Sequence, residues 1–187
     1  MTTVQNSERF FVLTGGPGSG KSTLADALER AGFARTIEAG RGVIQDQMAI
    51  GGNALPWADT MTFAELMVCW EMRSYRMAEQ CTRPVFFDRG VPDVAGYLRL
   101  LGRPVPGHIE KAAKIFRYNR RVFVAPPWEA IYLHDRERKQ DSAEAVRTYE
   151  AMLATYAECG YETVELPRVP VPERVSFVLQ HIGVAAT

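Results

Sequence analysis

Short apolar runs alternate along this chain with longer segments whose apolar residues recur every three or four positions. The runs are typical of buried β-strands, and the recurring spacing is typical of amphipathic helices. This alternation predicts a doubly wound α/β sheet. The predicted strands are residues 10–14, 34–37, 85–87, 121–125 and 162–166. The predicted helices are residues 21–31, 40–50, 60–81, 93–101, 108–118, 143–159 and 173–182.

The spacing also predicts which helix faces are buried. The third strand is wholly apolar, which is typical of a central strand in a parallel sheet. Three helices have predicted inward faces: Val43, Ile44, Gln47 and Met48; Phe63, Leu66, Met67, Trp70 and Met77; Val146, Tyr149, Leu153 and Tyr156. On the second of these helices, Glu65, Glu71 and Arg73 are polar residues that could face a ligand instead.

Length and composition indicate one ordinary globular domain. The chain has 187 residues, of which 47% are hydrophobic, so residues 1–187 are read as a single domain with a flexible tail at 1–8. The formal net charge is zero, which argues against a nucleic acid or a membrane surface as partner. Scattered cysteines at 69, 81 and 159 favour reduced thiols in the cytoplasm. Trp57, Trp70 and Met61 could sit in a core or in an interface between subunits, and the second case would allow a homodimer.

The most informative segment follows the first strand. Its sequence fits the phosphate-binding pattern G-x-x-x-x-G-K-[ST], and a predicted helix begins directly after it. Backbone N–H groups of such a loop and of the helix N-terminus bind phosphate oxygens. Lys21 would reach the β- and γ-phosphates of ATP, and the Ser22 hydroxyl would bind Mg²⁺. The expected ATP-binding residues are Gly15, Gly16, Pro17, Gly18, Ser19, Gly20, Lys21, Ser22 and Thr23.

Ionisable residues follow the next two strands. Ligands bind outside the carboxyl ends of the strands in such sheets, so these residues are expected to converge. Asp88 is expected to bind Mg²⁺ with Ser22, although an Asp there could instead begin a turn or cap the next helix. Glu38 could take a proton from an acceptor hydroxyl or be a solvated carboxylate. Arg41 and Arg89 could bind an acceptor or the transferring phosphate.

Two further charged segments have alternative interpretations. Residues 133–142 contain Arg136, Arg138 and Lys139, which could close over ATP as a lid and neutralise developing charge. The same segment could be an exposed charged helix. Residues 99–121 hold seven Lys and Arg against one Glu, which is more typical of a solvated face than of a partner site.

Taken together, these segments resemble a known group of proteins. The loop at 15–22, Glu38-Ala39-Gly40-Arg41, Phe87-Asp88-Arg89-Gly90 and the 136–139 segment resemble small bacterial P-loop proteins labelled AAA-type predicted ATPases. They are also similar to the P-loop kinases of nucleosides and of nicotinamide riboside. Over about residues 9–183, the resemblance implies a nucleoside-monophosphate-kinase-like, three-layer P-loop NTPase fold with strand order 2-3-1-4-5.

The resemblance also implies roles for individual residues. Glu38 would be the catalytic base, and Arg89 would contact the acceptor. Those kinases often have Glu-Arg-Ser after the third strand, whereas this chain has Asp-Arg-Gly, so Asp88 could serve either Mg²⁺ or the acceptor hydroxyl.

Two classes of function are consistent with these residues. The first is an ATP- and Mg²⁺-dependent kinase that phosphorylates a small acceptor, nucleoside-like or other, bound by parts of residues 41–78 and 89–104. Its expected catalytic residues are Lys21, Glu38, Asp88, Arg89, Arg136 and Arg138. The second is an ATPase or nucleotide-dependent switch that acts on a protein partner.

Overall fold

Five parallel strands form one sheet in the part of the chain that the structure, a computed structural model, describes, residues 7–132 and 142–184. Their order is β2-β3-β1-β4-β5, which confirms the predicted α/β fold and the strand order implied by the resemblance. The strands are β1 (Phe10–Gly15), β2 (Ala34–Arg35), β3 (Val85–Asp88), β4 (Arg121–Ala125) and β5 (Glu162–Glu165).

Helices cover both faces of this sheet. They are α1 (Lys21–Arg30), α2 (Ala39–Ile50), α3 (Thr60–Ala78), α4 (Val91–Leu100), α5 (Gly107–Ile115), α6 (Glu129–Tyr132), α7 (Ser142–Glu158) and α8 (Val171–His181). The sequence analysis did not predict the short helix α6. Within the described residues, none of these helices has both the length and the apolar character that a bilayer span requires.

The side chains of β1 separate the two halves of the core. Successive strand residues point to opposite faces. Phe11 and Leu13 pack with residues of α1 and α8 on one face. Phe10 and Val12 pack with Tyr75 of α3 and other residues on the opposite face. All of β1 is buried, as expected for the central strand of a parallel sheet covered on both faces.

A second apolar cluster lies beside the sheet and supports the candidate site. It joins α2, α3, α4 and α5 through residues such as Val43, Phe63, Val94 and Ile109. The side chain of Asp59 starts α3 by accepting a hydrogen bond of 3.0 Å from the Thr62 amide. The helices α3 and α4 are therefore held side by side next to the carboxyl ends of the strands.

Three residues predicted to face inward are exposed instead. Met48, Met77 and Val146 are 65%, 63% and 40% exposed. Val43, Phe63, Met67 and Tyr156 are buried as predicted, but α7 buries Ala145 and Met152 in addition to Tyr156 and leaves Val146 exposed. Trp70 and Met61 pack against the core, whereas Trp57 is exposed.

The predicted tail and lid are only partly described. Glu8, at the end of the predicted tail, accepts a hydrogen bond of 2.8 Å at its carbonyl from Asn119. Residues 1–6 lie outside the described residues. The same holds for residues 133–141 of the predicted lid, and therefore for Arg136, Arg138 and Lys139, while Ser142 begins α7.

Candidate functional site

The phosphate loop, residues 15–22, connects β1 to α1 in a conformation that depends on glycine. Gly15 has φ 126°, and a Cβ there would lie 2.3 Å from the Ala125 carbonyl oxygen of β4. Gly20 has φ 80° and precedes α1 without a side-chain cap. The first amides of α1 are therefore not capped by its N-cap side chain, and the positive end of the helix dipole lies at the same place. This arrangement suits a phosphate group.

Lys21 is the buried cation of the phosphate loop. Its ammonium group donates to the Gly16 carbonyl at 2.6 Å and to the Ser19 hydroxyl at 3.2 Å. Burial, followed by the charge of Arg89, lowers the pKa of Lys21 to about 8, although nearby carboxylates oppose the shift. A phosphate in the loop would stabilise the charged ammonium.

Ser22 and Asp88 meet, as the predicted metal-binding pair must. The Ser22 hydroxyl donates to Asp88 Oδ2 at 3.1 Å. Asp88 ends β3 and does not cap the next helix. Its other oxygen, Oδ1, is buried and has no hydrogen-bond partner among the described residues. Burial, and then the charge of Glu38, raise the pKa of Asp88. A buried, unpartnered carboxylate oxygen next to a serine hydroxyl fits the oxygen ligands that Mg²⁺ prefers.

Arg89 links Glu38 to α4. Its guanidinium donates to Glu38 Oε1 at 3.0 Å and to Asp93 Oδ1 at 3.1 Å. Burial opposes its charge, but Glu38, Asp93 and Asp88 hold the pKa of Arg89 above its usual range. Burial also opposes ionisation of Glu38, yet Arg89 and then Lys21 outweigh it and lower the pKa of Glu38. Glu38 is thus a carboxylate held in position by a guanidinium.

Arg89 also carries a strained backbone. Its φ is 73°, in the left-handed region that non-glycine residues seldom occupy. Its amide nevertheless donates to the Leu13 carbonyl of β1 at 3.0 Å, so the sheet fixes this conformation. Strain of this kind is concentrated at functional sites.

Asp93 organises this network, and the sequence analysis did not identify it. Its side chain accepts hydrogen bonds from Thr14 of β1, from the Gly90 amide at 2.9 Å and from the Tyr156 hydroxyl at 2.6 Å. The bond to Gly90 is typical of an acidic residue in the first turn of a helix. That spacing was the available signal in the sequence. The contacts with Thr14 and Tyr156 join residues distant in sequence.

Arg174 of α8 supports the phosphate loop from behind and was also missed. It is 1% exposed and donates to the carbonyl oxygens of Ser19 and Pro167, both at 2.8 Å. Its guanidinium lies 4.8 Å from the centre of a Trp128 ring. Burial, and then the charge of Arg168, lower the pKa of Arg174. Pro170 caps α8 just before Arg174, but nothing in that local pattern signals a contact with the loop.

One cleft of about 1130 Å³ connects the phosphate loop with α3 and α4. Glu38, Arg41 and Arg89 also line it, and Arg41 is exposed. Of the three polar residues of α3 considered above, Glu71 lines the cleft, whereas Glu65 bonds His108 and Arg73 is exposed. The loop residues that line the cleft are Pro17, Gly18, Ser19, Gly20, Lys21, Ser22 and Thr23.

Among the described residues, no group of three or more His, Cys, Asp and Glu side chains is arranged to hold a metal ion. Mg²⁺ bound together with a nucleotide needs only one or two protein ligands, because phosphates and waters supply the others. Ser22 and Asp88 are enough for that kind of site.

Solved structures of kinases share this fold at low sequence identity. A deoxyadenosine kinase from M. mycoides with bound dATP is 11% identical with a TM-score of 0.60, and the alignment covers 93% of this chain and 99% of that chain. A thymidylate kinase from Ehrlichia chaffeensis is 11% identical with a TM-score of 0.62, and the alignment covers 95% of this chain and all of that one.

A NadR protein in complex with NR has a TM-score of 0.66 and is 18% identical. The alignment covers 96% of this chain but 51% of that chain, so this chain spans about half the length of NadR. At such identities the likeness shows the fold alone.

Comparison of sequences gives the family. No curated protein sequence matches the chain. A family model described as an AAA domain matches residues 10–174, which includes the phosphate loop, the Ser22–Asp88 pair and Arg174. The chain therefore belongs to this AAA domain family of P-loop proteins.

Proposed function

We propose that this protein is an ATP- and Mg²⁺-dependent small-molecule kinase that transfers the γ-phosphoryl group of ATP to a nucleoside-like or other small acceptor. The observation that carries the proposal is the single cleft that joins the phosphate loop to the wall formed by α3 and α4. Its volume, about 1130 Å³, lies at or above the upper end of the roughly 300–1,000 Å³ typical of one small-molecule site. It therefore offers room for a second substrate beside the nucleotide.

The phosphate loop would bind the triphosphate. Its backbone amides and Lys21 would contact the phosphate oxygens, and Ser22 and Asp88 would hold Mg²⁺. Mg²⁺ bound there supplies charge neutralisation for the phosphates. Arg174 would keep the loop in shape through its bond to the Ser19 carbonyl.

Glu38 and Arg89 line the same cleft, and the acceptor hydroxyl would meet the γ-phosphorus next to them. In the transfer step, a bond forms between the acceptor oxygen and the γ-phosphorus, and the bond from that phosphorus to the β–γ bridging oxygen breaks. ADP leaves with the bridging oxygen and its electron pair, and the hydroxyl proton passes to Glu38 and then to solvent. Positioning matters more than basicity in such a step, which suits a carboxylate with a lowered pKa.

Other residues complete the proposal. Arg41, exposed at the cleft, would contact the acceptor together with Arg89. Arg136 and Arg138 of the predicted lid would close over ATP and neutralise charge. Asp88 would serve Mg²⁺ rather than the acceptor, because it bonds Ser22 while Glu38 lines the cleft.

The rival function, a switch that acts on a protein partner, would use the basic segment at 99–121. Several of its basic residues already contact the protein itself. Arg99 pairs with Glu158, Arg117 stacks on Tyr161, and Arg121 donates to the His181 carbonyl. The pair with Glu158 offsets one positive charge, and all three contacts hold side chains that a partner would otherwise have to engage.

The test is ADP formation by the purified protein with MgATP, alone and with separate pools of nucleosides, nucleotides, vitamin precursors and aminoglycosides. The kinase proposal predicts that one pool strongly stimulates ADP formation and that division of the pool identifies the acceptor. Steady ADP release that no pool changes would contradict the proposal and favour the ATPase or switch.

A further inference from the structure

Besides the phosphate loop, α2 and α7, the helices α3 and α4 each contribute one face to the lining of the cleft. On α3, Phe63, Met67 and Glu71 recur every four residues and line the cleft together. On α4, Val94 and Tyr97 lie one turn apart and also line the cleft. We call these five residues the acceptor wall.

Two polar groups of the acceptor wall are buried without partners. Glu71 is 2% exposed, and its Oε2 has no hydrogen-bond partner among the described residues. The hydroxyl of Tyr97 is likewise buried and unpartnered within the described part of the chain. Buried polar groups in proteins are normally hydrogen-bonded, so each of these needs an explanation. A ligand in the cleft would provide the missing partners.

The remaining members of the acceptor wall are apolar, and its aromatic rings are already fixed. Phe63 and Tyr97 pack edge to face, with ring centres 5.7 Å apart. Rings held in this way offer flat contact area at little entropic cost. No Lys or Arg is among these five residues, and Arg89, which lines the same cleft, is already paired with Glu38 and Asp93.

The environment of Glu71 favours its neutral form. Burial, and then the negative charges of Asp93 and Asp88, raise the pKa of Glu71 well above its ordinary value. A protonated carboxyl both donates and accepts a hydrogen bond, and the Tyr97 hydroxyl can do either. The acceptor wall can therefore recognise an uncharged polar edge that carries one donor and one acceptor.

We propose that Glu71 and Tyr97 bind the non-reacting end of the acceptor, and that this end is a flat, uncharged ring with a hydrogen-bond donor and acceptor on one edge. The inference rests on the proposed kinase function, since it concerns the second substrate of that reaction. A nucleobase joined to a sugar is a compound of this class. The sugar hydroxyl would then extend toward Glu38 and Arg89.

The experiment compares Glu71→Leu, Glu71→Gln and Tyr97→Phe with the wild type, using the nucleoside that most stimulates ADP formation. Glu71→Leu and Tyr97→Phe should each raise the acceptor KM by roughly tenfold, because each removes a hydrogen-bonding group. The KM for ATP should not change. Glu71→Gln keeps a neutral donor and acceptor, so its acceptor KM should remain within about threefold of the wild type.

A readout independent of activity accompanies the kinetics. Because Glu71→Leu and Tyr97→Phe remove unpartnered buried groups, both should raise the Tm of the free protein by about 2–4 °C. The matched control is Tyr149→Phe, the same chemical change at a hydroxyl that bonds Glu165 and does not line the cleft. This control should leave the acceptor KM unchanged, and it should not raise the Tm.

The outcomes separate the two proposals. Acceptor-stimulated ADP formation with unchanged acceptor KM in Glu71→Leu and Tyr97→Phe would overturn the acceptor wall and leave the kinase intact. Stimulation by aminoglycosides alone, or a Glu71→Gln variant as impaired as Glu71→Leu, would indicate a cationic acceptor and overturn the uncharged ring. If no pool changed ADP formation by the wild type, both proposals would be contradicted, because there would be no acceptor to bind.

Discussion

The two ends of the cleft differ in how their polar groups are satisfied. At the phosphate loop, Lys21, Ser22 and the Ser19 carbonyl have protein partners, and Arg174 braces the loop from behind. Beside this loop, only Asp88 Oδ1 and one guanidinium nitrogen of Arg174 are buried without a partner among the described residues. At the acceptor wall, Glu71 Oε2 and the Tyr97 hydroxyl have none within the described residues. The protein's own hydrogen bonds shape the phosphate loop, whereas our proposal is that a bound acceptor would pair the polar groups of the acceptor wall.

The two ends therefore differ in how ligand binding relates to the stability of the free protein. Hydrogen bonds keep the phosphate loop in one shape, so binding there costs little reorganisation. The unpaired buried polar groups of the acceptor wall lower stability, and under our proposal they would favour a ligand that pairs them. Asp93 and Arg89 connect the ends, and changes there should affect both.

The largest expected effect is at the phosphate loop. Lys21→Ala removes the cation that contacts the phosphates, and ADP formation should fall by roughly 10²–10³-fold or more. The control is Lys111→Ala, an exposed lysine of α5, which should keep wild-type turnover. Wild-type turnover in Lys21→Ala would show that this loop is not the site of phosphoryl transfer.

Arg174→Ala tests the support of the phosphate loop. It leaves the buried carbonyl oxygen of Ser19 and the partly buried one of Pro167 without these donors, so the free energy of unfolding should fall by about 3 kcal/mol in urea titrations. ATP affinity should fall as well. The matched control is Arg168→Ala, an arginine about half exposed that should change stability by less than about 0.5 kcal/mol. Equal stability of the two variants would refute the bracing role.

Two substitutions of Arg89 distinguish the effect of its charge from the effect of its strained backbone. Arg89→Ala and Arg89→Gly both lose the guanidinium between Glu38 and Asp93, so both should raise the acceptor KM by about 10²-fold. Because glycine tolerates φ 73°, the free energy of unfolding should be about 1 kcal/mol higher for Arg89→Gly than for Arg89→Ala. An acceptor KM that differs between the two variants would mean that the backbone, rather than the charge, controls acceptor binding.

Glu71 should make the free energy of unfolding depend on pH in a way that the Glu71→Gln variant lacks. Since its folded-state pKa is raised, unfolding releases its proton, and wild-type stability should fall relative to Glu71→Gln as pH rises above the ordinary value of 4.5. The slope of this difference should reach at most roughly 1.4 kcal/mol per pH unit in urea titrations. Parallel pH profiles would contradict a protonated Glu71. The charged or titratable groups that act on Glu71 are Asp93, Asp88, Arg89, Glu38 and Tyr118.

The sequence was most informative where function depends on neighbours along the chain. The phosphate loop is one continuous motif, and Asp88 directly follows an apolar strand, so their positions next to one another could be predicted. The α/β fold and the strand order were confirmed as well. Alternation and strand-end rules are local, and they hold regardless of how the helices pack.

The acceptor wall and the supporting contacts of Asp93 and Arg174 could not be predicted in the same way. The bond between Tyr156 and Asp93 spans 63 residues, and the bond between Arg174 and Ser19 spans 155 residues. Which face of a helix is buried also depends on packing, as the exposed Val146 of α7 shows. For Glu71, the spacing could not show whether a carboxylate inside an otherwise apolar stripe is buried.

The most direct test of two cooperating ends follows the γ-phosphoryl group itself. The protein is incubated with ATP labelled in that group and with the pools of small acceptors, and the products are separated by mass. The kinase account predicts that the label appears on one acceptor, in an amount equal to the ADP formed. Label found only as free phosphate, whichever pool is present, would contradict it.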